Sequence, residues 1–357
     1  MLHGILMAGG LGTRLWPESS VERPKQFLKL LGDETLLAST VKRIEPIIPR
    51  ERQLIVTGKS MVPLVYESFP GLDPNRILPE PVGRNTAPCI GLAAIRVLRD
   101  DPDATMVVLP TDQAIKQEKL FREMIRFASE LVDEDPERLI TLGIQPTFPS
   151  SSYGYIEQDA KITGLVAEKW HERMSAFSVQ RFHEKPNQAK AEEFLATGRF
   201  RWNAGIFVWK ARTILERIRQ FEPEIAERLD TISSSVIHGD FPEILDREFS
   251  AMKKISIDYA VLEQAEKILV LDATFDWDDL GTWSSLDRVH AEKHDANGNL
   301  ALGASLKTVQ AEHNIVKSSD PNHTFALVGV DDLIVIQTAN TTLIAKKDCE
   351  ERIREIV

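Results

Sequence analysis

The sequence predicts an α/β protein: a mixed, mostly parallel sheet flanked by helices, followed by a small β-rich appendage. Three observations carry that expectation. Short apolar β-type runs alternate with helically periodic stretches over the first 150 residues; a glycine-rich turn directly follows the first run; and the texture changes near residue 295.

The β-type runs are 3–8, 53–58 (QLIVTG), 105–110 (TMVVLP) and 139–144 (LITLGI). Helical periodicity occupies Leu36–Ile48, Thr86–Arg99 and Glu118–Val132 between them. Strands alternating with helices predict right-handed βαβ units and parallel pairing. Beyond residue 150 come "AFSVQRFHEKP", a helix from about Gln188 to Thr197, "NAGIFVWK", more helix through 210–265, and "ILVLDATFDWDDLGTW". From about 295 the runs are short, β-rich and broken by Gly, Asn and Asp, and a charged helix over Cys349–Ile356 closes the chain. Valine and isoleucine spacing there suggests coils of a β-helix. The expected division is a large α/β domain over 1–290 and a β-rich domain over 291–357.

Composition narrows the function. A chain of 357 residues, 43% hydrophobic and 27% charged, buries a large core. The net charge is −11 and no Lys/Arg block offers a nucleic-acid footprint. No apolar run reaches the ~18 residues that a membrane span needs. Ile5–Ala8 is too short for a signal-peptide core, so a cytoplasmic location is expected. Cys89 and Cys349 lack metal-like spacing and read as reduced thiols, and the eight histidines form no zinc-like pattern with them. A polyanionic substrate would therefore need a few locally placed cations.

The first motif supplies some. In "ILMAGGLGTRLWP", Ala8, Gly9, Gly10, Gly12 and Thr13 follow the first strand. A glycine turn at the carboxyl edge of a parallel sheet lets phosphate oxygens approach bare amides. A dinucleotide fingerprint would need a small residue where Leu15 stands, and a Walker A loop would end in Gly-Lys-Ser/Thr, which is absent. Arg14 and, eleven residues on, Lys25 of "PKQF" add charge.

"GGLGTRLWP" with "PKQF" resembles the signature of the sugar-1-phosphate nucleotidyltransferases, in the mannose-1-phosphate guanylyltransferase (GDP-mannose pyrophosphorylase) branch. Further matches run in order: "PEPVGRNTAPCI" (79–90), "LPTDQAI" (109–115), "SYGYIE" (152–157), "FHEKPN" (182–187), "WNAGIFVW" (202–209), "SIDYAVLE" (256–263) and "DWDDLGTW" (276–283). The resemblance implies a Rossmann-like nucleotidyltransferase fold with a left-handed β-helix-like C-terminal domain, and a homodimer. It implies GTP and mannose 1-phosphate as substrates, GDP-mannose as product, Mg²⁺ as cofactor, and no nucleic-acid or membrane partner. The alternatives are the same transfer with another hexose 1-phosphate or triphosphate, or a non-catalytic nucleotide-sugar sensor. The sensor reading predicts loss of Arg14, Lys25, Asp112 or Asp279, and all four are present.

The implied reaction is attack of a sugar phosphate oxygen on the α-phosphorus of a triphosphate. The nucleophile is already an anion, so positioning and charge neutralisation carry catalysis. Arg14 and the loop amides would hold the triphosphate, with Lys25 over the α-phosphate; the alternative for Lys25 is a solvated surface lysine. Asp112 and Asp279 are the implied metal pair. Strand alternation favours Asp279 over Asp278, and the structural alternative for Asp112 is a helix N-cap. The family's usual Pro-x-Asp-His is Pro-Thr-Asp-Gln here, so Gln113 stands in the place of the histidine.

For the base, Glu80 between Pro79 and Pro81 is a rigid carboxylate able to accept both guanine N1–H and the 2-amino group. The backbone of Arg84, Asn85 and Thr86, after Gly83, is the other candidate, and it also opens a helix toward ribose or phosphate. For the sugar phosphate the resemblance points to Gly154, Glu184, Lys185 and Asn203, with Asp258 lining the same pocket. His183 reads as a strand histidine, and Trp16, Trp202, Trp209 and Trp283 as core or pocket wall.

Overall fold

The computed structural model describes residues 1–10, 12–235 and 241–357. Residues 236–240, inside the stretch expected to be helical over 210–265, lie outside the described residues. The strands are β1 (Leu2–Ala8), β2 (Gln53–Gly58), β3 (Ile77–Glu80), β4 (Thr105–Pro110), β5 (Ala114–Ile115), β6 (Leu139–Ile144), β7 (Tyr155–Lys161), β8 (Ala176–His183), β9 (Phe200–Lys210) and β10 (Ile268–Ala273). The short β11 (Trp277–Asp278) follows. The helices are α1 (Leu36–Ile44), α2 (Val62–Ser68), α3 (Thr86–Asp100), α4 (Glu118–Glu134), α5 (Leu165–Trp170), α6 (Gln188–Thr197), α7 (Ala211–Phe221), α8 (Pro223–Ser235), α9 (Phe241–Ala251) and α10 (Ser284–Val289).

The main sheet runs β3-β2-β1-β4-β9-β6-β10-β8-β7. β1, β2, β3 and β4 pair in parallel, as do β6 and β10, while β9 and β8 run against their neighbours. The parallel strands are near-continuous apolar runs because both sheet faces are covered. Ile5, Leu54 and Val108 lie in register, and all are buried. The predicted helices appear with shifted ends. α1 stops at Ile44 rather than 48, since Pro46 cannot continue it. α4 buries Phe121, Met124, Ile125, Ala128, Leu131 and Val132, one stripe at helical spacing.

The chain packs into two compact units that do not follow chain order. The first holds Met1–Gly9, Thr40–Thr111 and Ile115–Asp276; its core gathers Ile5, Ile90, Ala93, Val108, Phe207 and Trp209. The second holds Gly10–Ser39, Asp112–Ala114 and Trp277–Val357. Its strands are β12 (Leu300–Leu302), β13 (Ser305–Val309), β14 (Ile315–Ser318), β15 (Thr324–Val328), β16 (Leu333–Gln337) and β17 (Thr342–Lys346). β12, β14 and β16 stack in parallel with Leu300, Ile315 and Ile334 as one buried rung, and β13 pairs in parallel with β15. Buried Asn314 donates to Asn299 Oδ1 at 2.9 Å and to the Val330 carbonyl at 3.0 Å, tying successive coils. This is the β-helix that the valine and isoleucine spacing suggests. β17 turns back antiparallel, and the terminal helix is a 3₁₀ run over Lys347–Ile356 whose Ile353 is buried. Among the described residues no helix is long and apolar enough to cross a membrane.

Candidate active site

The second unit holds Arg14, Lys25, Asp112 and Asp279. Lys25 is only 6% exposed, which rules out a solvated surface lysine. Its Nζ donates to Asp112 Oδ2 at 2.9 Å and also to the Asp279 backbone carbonyl. A buried ammonium is costly unless paired, so this lysine is fixed by the two acidic segments it joins. Asp112 is not a helix cap; Gln117 occupies the N-cap position of α4. Asp278 is buried, with one carboxylate oxygen accepting from Leu280 N–H at 2.8 Å and the other 2.7 Å from Arg288 Nε. Asp279 is half-buried and accepts from Gly281 N–H at 3.1 Å. Leu280 between them has φ 51° and is fully buried, a conformation that costs about 1–3 kcal/mol and persists only where packing imposes it. Gln113 Oε1 accepts from Trp277 Nε1 at 3.0 Å, linking the residue after Asp112 to the segment that carries Asp279.

The glycine loop shows why one position tolerates no side chain. Gly12 has φ 61°, and a Cβ there would lie 2.4 Å from Lys25 Cβ. Gly10 faces open space. Arg14 Nε lies 3.2 Å from Glu351 Oε2. Thr13 and Arg14 belong to a short 3₁₀ turn that Gly12 opens.

The first unit carries the other predicted residues. Thr57 Oγ1 donates to the Ala8 carbonyl at 2.7 Å and Thr111 Oγ1 to the Met7 carbonyl at 3.0 Å, fixing the end of β1. Glu80 ends β3, is 7% exposed, and its Oε1 has no hydrogen-bond partner. Its other oxygen would be 3.8 Å from a Cβ at Gly9. Burial pushes its pKa up to about 7, with a hydrogen bond from Cys89 acting the other way. Burial and the neighbouring Glu80 charge in turn raise the Cys89 thiol. Asn85, at φ 69°, caps α3 by accepting from Thr86 N–H at 2.8 Å, and Thr86 Oγ1 accepts from Ile257 N–H at 2.8 Å. The Arg84 guanidinium donates to the Ser250 carbonyl, so that side chain is committed to the fold, while Gly83 is exposed.

Gly154 and Glu184 meet closely: a Cβ on Gly154 would lie 2.6 Å from Glu184 Oε2. Asn203 N–H donates to the Gly154 carbonyl at 2.8 Å, and its amide Nδ2 donates to Asp258 Oδ1 at 2.7 Å. Thr141 Oγ1 donates to Asn203 Oδ1 at 3.2 Å, which fixes the amide orientation. Asp258 opens a single π-helical turn, Asp258–Leu262, a geometry frequent at functional sites. Burial, then the Glu184 charge, push its pKa up to about 6. Lys185, at φ 45°, lies 3.0 Å from Glu184 and is largely exposed. His183 packs on Phe194 and Phe200, as a strand histidine does, and burial lowers its pKa. Trp202, Trp209 and Trp283 are core residues.

The structure thus groups Lys25, Asp112, Asp279 and Arg14 in one unit, and Glu80, Asn85, Glu184, Asn203 and Asp258 in the other. Sequence reasoning missed Cys89, Thr141 and Glu351. Cys89 stands nine residues after Glu80 inside a quoted motif, so that signal was available. Thr141 and Glu351 reach their partners only through tertiary packing.

Known proteins resemble the chain over its whole length. The profile of the family described as Nucleotidyl transferase matches residues 3–296, and that of the MannoseP isomerase/GMP-like beta-helix domain matches 307–357. Mannose-1-phosphate guanylyltransferase of Klebsiella pneumoniae is 34% identical over 100% of this chain and 73% of its own length. Mannose-1-phosphate guanylyltransferase ManC of Salmonella typhimurium is 36% identical over 100% of this chain and 72% of its own. A crystal structure from Thermus thermophilus, named as a mannose-1-phosphate geranyltransferase, superposes with a TM-score of 0.87 at 31% identity, covering 99% of this chain and 98% of that one.

Proposed function

The chain belongs to the Nucleotidyl transferase family, in its mannose-1-phosphate guanylyltransferase branch, and we propose on that premise that it transfers GMP from GTP to mannose 1-phosphate, giving GDP-mannose and pyrophosphate. The observation that carries the chemistry is the buried Lys25 ammonium, held by the Asp112 carboxylate and the Asp279 carbonyl. A phosphate oxygen of the sugar attacks the α-phosphorus, the bond to the β-phosphate bridging oxygen breaks, and pyrophosphate leaves. No proton transfer is needed. Lys25 neutralises charge at the α-phosphate, while Arg14 and the amides of Ala8, Gly9, Gly10, Gly12 and Thr13 hold the triphosphate.

The pair Asp112 and Asp279 fits a divalent cation, Mg²⁺ by resemblance. Both carboxyl groups are part-exposed, and magnesium characteristically takes one or two carboxylates and fills its shell with phosphates and water. Among the described residues no set of three or more His, Cys, Asp or Glu could hold a metal, so phosphates and water would have to complete the shell. Bound there, the ion would supply charge neutralisation on the phosphates.

Glu80 reads the base. A buried carboxyl with an unpartnered oxygen accepts the two adjacent N–H donors of guanine, and adenine would leave it unpaired. Gly83, Arg84, Asn85 and Thr86 shape the turn beside it. Glu184, Asn203 and Asp258 accept from and donate to sugar hydroxyls, Gly154 admits the ring, and Lys185 pairs with the sugar phosphate. In chain order residues 1–290 form the nucleotidyltransferase part and 291–357 the appendage. We include in the proposal a cytoplasmic homodimer; exposed Val309, Val328 and Ile344 on the appendage strands offer apolar surface for it, and a solution mass measurement tests it.

A pyrophosphate-release screen across four nucleoside triphosphates and several hexose 1-phosphates tests the reaction. GTP with mannose 1-phosphate is expected to give the highest kcat/KM. A higher value for another base or hexose would favour the alternative substrates, and no release with any pair would favour a sensor.

A further inference from the structure

We propose that Glu351, in the C-terminal 3₁₀ run, is a positioning residue that aims Arg14 at the triphosphate, so that the end of the chain works as part of the nucleotide site. The inference rests on the reading of Arg14 as a phosphate ligand. It starts from packing: residues 10–39, which contain the glycine loop and Lys25, belong to the same compact unit as residues 277–357.

Several contacts tie that loop to the C-terminal segments. Ile353 of the 3₁₀ run shares a buried cluster with Leu15, Leu280 and Trp283. Glu350 Oε2 accepts from Ser284 N–H at 3.0 Å, and Lys347 Nζ donates to Asp287 Oδ2 at 2.8 Å, so the run is pinned to the segment just beyond Asp279. Trp283 Nε1 donates to the Trp16 carbonyl at 3.0 Å, and Lys317 pairs with Glu18 where both side chains are largely buried. These contacts fix the backbone on both sides of the Arg14–Glu351 pair.

The arginine side chain itself carries large rotamer freedom, which those backbone contacts do not restrict. Glu351 meets it at Nε, the nitrogen nearest the backbone. A carboxylate at that edge restricts the side chain while directing its terminal fork onward, which suits a phosphate beyond it. The pair is about one-third exposed on the arginine side and nearly half on the glutamate side, so it is screened and shifts an equilibrium only several-fold. That is too weak to lock the loop shut against a triphosphate. A pre-orienting contact of that strength still changes KM.

The test is a double-mutant cycle on the full chain: wild type, Glu351→Gln, Arg14→Ala and the double variant, each measured for GTP KM, mannose 1-phosphate KM, kcat and Tm. Glu351→Gln is expected to raise the GTP KM about three- to fivefold, with kcat and mannose 1-phosphate KM within about twofold and Tm unchanged. In the Arg14→Ala background it is expected to have no further effect on GTP KM. A lowered or unchanged GTP KM in Glu351→Gln would overturn the inference, the first outcome marking Glu351 as a competitor of the triphosphate. So would an equal rise in both backgrounds, since the effect would then bypass Arg14. An Arg14→Ala variant with wild-type GTP KM would instead refute the phosphate reading of Arg14 and the inference together.

Discussion

Near the candidate site, the carboxyl groups of the two compact units have different partners. In the second unit four carboxylates around the candidate site face cations: Asp112 with Lys25, Asp278 with Arg288, Glu351 with Arg14 and Glu18 with Lys317. In the first unit Glu80 and Asp258 face neutral donors, Cys89 and Asn203, and burial raises both pKa values. Glu184, beside exposed Lys185, is the exception there. A carboxyl group without a cation holds unspent acceptor capacity and suits the N–H and O–H donors of a base or a sugar. Carboxylates interleaved with cations suit phosphate chemistry, where charge must be compensated locally in a chain of net charge −11. The proposed function therefore gives recognition to one unit and charge handling to the other.

Several variants can break this contrast. Lys25→Ala should act most strongly, lowering kcat by about 10³-fold, because a preorganised cation at developing charge is worth that order. Steady-state kinetics at saturating substrates checks it, and a loss below about tenfold would remove Lys25 from the transition state. Glu80→Gln comes next, with GTP-over-ATP preference in kcat/KM falling by about 10²-fold. The same variant should be more stable than wild type above pH 7. Glu80 has its folded pKa raised from 4.5 to about 7, so the folded state keeps a proton that the unfolded chain has released. Stability is consequently lost as pH rises through that window, by up to ~3 kcal/mol, and glutamine removes the loss. Urea titrations at pH 4.5 and pH 8 would show equal stabilities at the first and a gain for the variant at the second.

Wild-type GTP affinity should follow the same ionisation. Guanine donors favour the charged carboxylate, so affinity should rise about tenfold from pH 6 to pH 8 and level off above. Calorimetry in buffers of different ionisation enthalpy should also detect proton release on binding near pH 6. A flat profile would mean that Glu80 does not meet the base. Asp258→Asn should have the smallest effect, raising the mannose 1-phosphate KM several-fold. Asparagine keeps an acceptor for the Asn203 amide but loses the charge. Its Tm should exceed that of wild type above pH 6, since the raised pKa of Asp258 costs stability as pH climbs from 3.8 to about 6. A lower Tm there would contradict the burial argument.

Much of this was readable in the sequence because the signals are local. The strands ending at Ala8, Pro110 and Ile144 announce themselves as apolar runs, and Glu80 sits between two prolines. Strand alternation favours Asp279 over Asp278, but β11 ends at Asp278, so alternation does not reach Asp279; what the structure shows is Asp278 paired with Arg288. The grouping of residues 10–39 with the C-terminal coils was not readable. Contacts such as Trp283 to Trp16 and Lys317 to Glu18 join positions more than 250 residues apart, and no periodicity encodes them. The Arg14–Glu351 pair is of the same kind. Glu351 reads as one acidic residue in a charged terminal run, and only packing of Ile353 beside Leu15 brings it to the arginine.

The most direct test of the division between charge handling and recognition is Asp279→Asn, assayed by pyrophosphate release with GTP and with ATP at several magnesium concentrations. Turnover is expected to fall by about 10²–10³-fold while the ratio of GTP to ATP in kcat/KM stays that of wild type. Near wild-type turnover, or a base preference that collapses along with the rate, would contradict it.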